Sequence, residues 1–109
     1  MDYVYNITFV MLPNEEERFL TWMRSEAVPR LFGESSKALE PRVQTVIEAG
    51  GEKPAADHGL SIALQAMFRS KEEAYEWHDS SLPAVLGEFT SKFGPNALFF
   101  TTLLEVFPL

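Results

Sequence analysis

Pro29-Arg30-Leu31-Phe32-Gly33-Glu34 and Pro83-Ala84-Val85-Leu86-Gly87-Glu88 share one pattern: proline, a free position, two apolar residues, glycine, glutamate. Trp22 stands seven residues before the first copy and Trp77 six before the second, and the acidic pairs Glu16-Glu17 and Glu72-Glu73 precede both. Each copy follows one strand-like run and precedes another. The chain therefore reads as strand-helix-strand written twice, which is an order of elements and not an activity.

The flanking runs fill in that order. Residues 2–11 alternate, with Tyr3, Tyr5, Ile7, Phe9 and Met11 on one face and Val4, Asn6, Thr8 and Val10 on the other. That period of two, rich in aromatic and β-branched side chains, predicts a strand. Asn14, with Glu17 three residues on, has the pattern of a helix-opening cap, and Phe19, Met23, Ala27 and Leu31 predict an amphipathic helix over about 14–28. Pro29 disfavours the helical conformation at Val28 and is expected to end or kink it. Residues 38–48 predict a second strand, placed at an edge because Pro41 cannot donate to a ladder and Glu40, Arg42, Gln44 and Glu48 share a face. Ala49 to Gly59 holds three glycines and a proline and reads as a hairpin loop.

Leu60 to Phe68 predicts the third strand. Ser70-Lys71-Glu72-Glu73 is a capping box for a helix that should break near Ser80-Ser81. The Ser81 hydroxyl is expected to recap a second segment with Pro83 in its first turn, closed by Gly94-Pro95. Leu98 to Phe107 is the last strand. The whole is an α+β, ferredoxin-like βαββαβ unit: a four-stranded antiparallel sheet with two helices on one face.

The 109 residues read as one domain, 1–109, and a composition 46% hydrophobic and 13% aromatic predicts an ordered core. A formal net charge of −7 argues against nucleic acid and anionic membrane surfaces as partners. The chain has no cysteine, which removes disulfides, thiolate metal sites and a thiol nucleophile, and suits a reducing compartment. The start, Met1-Asp2-Tyr3-Val4-Tyr5, is acidic and alternating where a signal peptide would be basic and solid, so a cytoplasmic protein is expected. Two helices cover only one face of the sheet, yet the first and last strands are apolar on both. A wet face of that kind exceeds what a soluble monomer tolerates, and the expected cover is the same face of a second copy. The predicted partner is thus the chain itself, as a homodimer through the sheet face.

Tyr5-Asn6-Ile7-Thr8, Phe19-Leu20-Thr21-Trp22-Met23-Arg24 with Val28-Pro29, Lys92-Phe93-Gly94 and Leu103-Leu104-Glu105-Val106 together resemble the bacterial domain of unknown function 4286, within the dimeric α/β-barrel superfamily. The resemblance spans nearly the whole chain and implies that fold. It implies no chemistry, because the family has no established activity. The family pattern often carries histidine where this chain has Ala27, Ser81 and Phe89, and arginine where it has Thr101. A polar site built on those positions would be missing here.

The ligand-pocket candidates are Asn6, Trp22, Trp77 and His78. His58, beside Asp57 in the glycine-rich loop, reads as a solvated turn residue. His78 lies on the Tyr75, Leu82, Phe89 side of its helix and could face a cavity against the sheet, as acid, base or ligand, although a histidine satisfied by a backbone carbonyl is the commoner case. Asn6 is polar within an apolar strand. Asn6 and His78 together resemble the placement in cofactor-poor monooxygenases and haem-degrading enzymes of the same superfamily, which also carry a tryptophan on the third strand where this chain has Leu64, Ala66, Met67 and Phe68. Trp22 and Trp77 read as core, and a cavity that they lined would suit a small apolar or aromatic ligand. The acidic runs are charges at helix starts. No catalytic residue, metal site or cofactor is assigned. The expectation is a non-catalytic dimeric ligand-binding or scaffolding domain. The alternatives are a small oxygenase using His78 and Asn6, and an interaction module meeting a partner through strand 38–48 and loop 49–59.

Overall fold

A computed structural model describes residues 2–47 and 59–109. Strand β1 is Tyr3–Met11, β2 Leu39–Thr45, β3 Leu60–Phe68 and β4 Leu98–Glu105; the helices are α1 Glu16–Trp22, α2 Val28–Leu31, α3 Lys71–Ser80 and α4 Leu82–Phe93. The strands form a four-stranded sheet in the order β2-β3-β1-β4, every neighbouring pair antiparallel. This is the ferredoxin-like α+β arrangement. No helix among the described residues is long and apolar enough to cross a membrane. Glu48 to His58 lie outside the described residues, so the expected hairpin loop, His58 and the loop half of the interaction-module reading have no structural counterpart here.

The stronger of the two faces of β1 is the one the helices cover. Tyr5, Ile7, Phe9 and Met11 are buried, as are Leu60, Ile62, Leu64, Ala66 and Phe68 of β3. At the centre, Phe9 meets Phe89 of α4 at 4.8 Å between ring centroids and Phe19 of α1 at 5.1 Å, and Phe19 meets Phe89 edge-on at 5.8 Å. Burial of each such ring, with edge-to-face contacts in addition, is the main favourable term in the fold.

Three local details depart from the sequence reading. Asn14 caps nothing: the chain enters α1 through a 3-10 turn, Pro13–Glu15, with Pro13 in its opening positions and no side-chain cap. Pro29 does not end the helix. A π-helical segment, Met23–Ala27, precedes it, and Val28 donates its N–H to the Met23 carbonyl. A wider turn there makes room for the pyrrolidine ring and spares the bond that proline lacks an N–H to make, so the helical path continues to Leu31. Ser81 sits between α3 and α4 but its hydroxyl caps neither.

The Ser70 box forms as expected, its Oγ accepting from the Glu73 N–H at 3.1 Å. Strand β2 is an edge, as Pro41 required. Its register shifts between Leu39 and Arg42, where Glu40 takes a positive φ of 49°, so Leu39, Arg42 and Gln44 all end on the uncovered face.

The two repeated segments cross over. The Trp22 indole, in the first half, donates to Oε1 of Glu88 in the second copy at 2.6 Å. The Trp77 indole, in the second half, donates to the carbonyl of Leu31 in the first copy at 2.8 Å, with Phe32 stacked on it at 5.6 Å. Arg30 of the first copy also bonds Glu88 Oε2, at 2.8 Å. Both tryptophans are buried and every indole N–H is satisfied by the opposite half.

Two predictions follow from the packing. Phe89→Ala should cost about 3–5 kcal/mol in urea unfolding, because it empties the ring cluster; a loss below about 1 kcal/mol would contradict that role. The hydrogen bond from Trp22, then that from Arg30, holds the Glu88 carboxyl below the ordinary carboxylate range. A lowered folded value means the contribution is present above the unfolded value and lost as pH falls through the folded one. Glu88→Gln should therefore weaken the protein near neutrality and flatten its acid dependence, as read by unfolding at a series of pH values.

Candidate functional site

His78 stands in the last turn of α3, partly buried on the helical side of the sheet. Its Nδ1 is hydrogen-bonded to the phenol of Tyr5, which projects from β1 onto the same side. The two rings lie 5.7 Å apart, and Trp77 packs edge-on against Tyr5 at 5.2 Å. Burial pushes the Tyr5 phenol above its ordinary pKa. A hydrogen bond from Thr101 of β4 opposes that shift, and the Asp79 carboxylate adds to it. The phenol therefore stays protonated across the physiological range.

The imidazole borders a cleft of about 330 Å³ between α4 and β4, walled by Leu82, Pro83, Leu86, Gly87, Thr90 and Phe99. The lining is apolar apart from His78 and Thr90. Gly87 widens it: a Cβ there would meet nothing within 4 Å. An apolar slot of this size with one convergent polar group has the character of a small-molecule site.

Asn6 is elsewhere. Strand parity puts it on the uncovered face, where its Oδ1 accepts from Gln65 Nε2 at 3.1 Å and its Nδ2 donates to Thr8 Oγ1 at 3.0 Å. Registers align Arg42, Gln65, Asn6 and Thr102 in one polar row across all four strands. Asn6 and His78 are thus on opposite sides of the sheet and share no cavity. The oxygenase reading required that pair, and the geometry removes its premise.

The tryptophans are core walls rather than a shared pocket. Trp22 borders an open groove of about 610 Å³ with Glu17, Arg18, Glu26, Lys92 and Phe93, on the outer side of the helices. That groove is the larger concavity, but Arg18 is committed within it to Glu15 at 2.7 Å, the Lys92 carbonyl at 2.9 Å and the Phe93 ring at 4.2 Å. Trp77 borders a separate polar hollow near Ser80 and Ser81. Among the described residues, no three of the His, Cys, Asp and Glu side chains are grouped to hold a metal ion.

Tyr5 is hidden in the sequence because it counts toward the apolar alternation of its strand. A phenol on the same face as Ile7, Phe9 and Met11 signals a buried hydroxyl that needs a partner, and the polar Thr101 on the last strand signals one of them.

The model of a family described as domain of unknown function 4286 matches residues 2–107. No match is found among proteins of curated function. Among solved structures, the chain is similar to a dimeric ferredoxin-like protein from an uncultured marine organism: TM-score 0.56, 15% identity, 99% of this chain and 98% of that one covered. It is also similar to the haem-degrader MhuD from Mycobacterium tuberculosis, with two haems bound in its active site: TM-score 0.56, 15% identity, 94% of each chain covered. At this identity the likeness is one of fold.

The Tyr5 phenol gives a direct check on the site. Its folded pKa lies above the unfolded value of about 10, so the stability it contributes is complete below that value and is lost as pH rises through the folded one. Carbon NMR of the Tyr5 ring during alkaline titration should place its ionisation above the ordinary tyrosine range. Ionisation at or below that range would contradict the buried phenol.

Proposed function

The chain belongs to the family of domain of unknown function 4286, and from that premise we propose that it is a homodimeric protein that binds a small apolar or aromatic molecule in the cleft over His78. The observation that carries the ligand reading is the pairing of an open apolar cleft with a single imidazole hydrogen-bonded to Tyr5. The imidazole is one of only two polar side chains on that otherwise apolar lining.

The dimer reading rests on the uncovered sheet face. Leu98 and Phe100 are each 57% exposed and Leu104 48%, beside Val4 and Val10 of β1. Stacking this face on its copy about a two-fold axis removes the patch from water, and the marine ferredoxin-like relative in fold is described as dimeric. The polar row through Asn6 would then cross the interface centre, where unpaired groups are costly, and would favour registers that pair it. The net charge of −7 disfavours nucleic acid and anionic lipid as partners, and a chain without cysteine suits the cytoplasm. The haem-degrading alternative has no pairing of Asn6 with His78 to stand on.

Sedimentation velocity at about micromolar concentration should give a dimer, and Phe100→Asp a folded monomer; a monomeric wild type would overturn the sheet-to-sheet assembly. Titration with naphthalene should move the amide NMR signals of Gly87 and Phe99 but not that of Asn6. Gly87→Leu, which fills the slot from a position with free space, should abolish those shifts without loss of fold. Shifts confined to the open face, or none, would overturn the cleft as a binding site.

A further inference from the structure

The cleft's chemistry is set from the strand behind it. Tyr5 on β1 hydrogen-bonds Nδ1 of His78 on α3, and Thr101 of β4 lies on the other side of its phenol. The imidazole Nδ1 is the best neutral acceptor in that group and the phenol is its best donor. With the imidazole neutral, the arrangement that pairs best donor with best acceptor has Tyr5 donating to Nδ1. A neutral imidazole that accepts at Nδ1 carries its proton at Nε2. Among the described residues, Nδ1 is the only His78 side-chain atom with a hydrogen-bond partner.

Resting on the cleft reading above, we infer that the ligand is a flat apolar body bearing a carbonyl-type acceptor oxygen, which receives a hydrogen bond from His78 Nε2–H. The direction from Tyr5 to His78 to ligand excludes ligands whose only polar group is a donor. It is equally unsuited to an iron-bound group. Axial ligation needs a lone pair at Nε2, and in the tautomer inferred here that atom carries the proton.

The remaining walls support the same ligand class. Leu82, Leu86 and Phe99 offer contact and no second hydrogen bond, and Thr90 Oγ1 is already turned to the Leu86 carbonyl at 3.2 Å. One polar contact, at the imidazole, then fixes orientation while the apolar body supplies contact area.

Two matched probes test this: 2-acetylnaphthalene, which has the acceptor, and 2-ethylnaphthalene, which has the same shape without it. The ketone should bind about five- to tenfold more tightly, the usual worth of one net hydrogen bond. His78→Phe should erase that preference while leaving the hydrocarbon's affinity within about twofold, and Tyr5→Phe should reduce it by freeing the tautomer. Nitrogen-15 NMR of free protein at about pH 8, where an ordinary imidazole is neutral, should report the proton on Nε2. Equal affinity for the two probes, or a proton found on Nδ1, would overturn this inference alone. Failure of both probes to shift Gly87 and Phe99 would overturn the cleft reading and this one with it.

Discussion

Three rings from three different elements, Phe9 of β1, Phe19 of α1 and Phe89 of α4, touch at the centre of the protein, and their exclusion from water organises everything around them. Because both helical units must reach the same strand face to do this, they leave the other face of the sheet without any cover of its own. The fold's interior and its sociable exterior are two results of one choice of side. Strand β4, at the end of the sheet order, takes the consequence most fully, with apolar side chains in the open along most of its length.

Around this centre the halves are tied by an exchange. Each indole reaches into the repeated segment of the other half, so that neither strand-helix-strand unit satisfies its own tryptophan. The ties are chemically unequal. One ends on a carboxylate that also serves Arg30, and the other ends on a main-chain carbonyl of Leu31. The duplication visible in the sequence is therefore a mutual brace in three dimensions, and the glutamate of the second copy has work that Glu34 of the first, exposed after the helix end, does not share.

What was legible in the sequence was what short-range physics decides. β1 and β3 announced themselves by alternation, α3 by its Ser70 box, and the α3–α4 break by Ser80-Ser81-Leu82-Pro83. Even the edge position of β2 followed from Pro41 and the polar residues around it. What stayed hidden needed a third dimension. Passage of the first helix through Pro29 depends on a widened turn, and no local rule for the residue before a proline foresees it. The sides of Asn6 and His78 depended on which parity of β1 the helices choose. The bulkier parity, Tyr5, Ile7, Phe9 and Met11, was the better guess for the covered side, and weighing it would have separated Asn6 from His78 and brought Tyr5 forward. The cleft itself arises between α4 and the edge of β4, elements whose approach no periodicity encodes.

Gly87 shows what the slot beside it asks of the backbone. In the middle of α4 a glycine leaves the helix about 0.5–1 kcal/mol less secure than alanine would, although a methyl group there would touch nothing. Rigidity is thus given up at a helical position where an added atom would meet empty room rather than neighbours. The aperture is tuned by omission, and its width is open to single-step change without disturbing the aromatic interior.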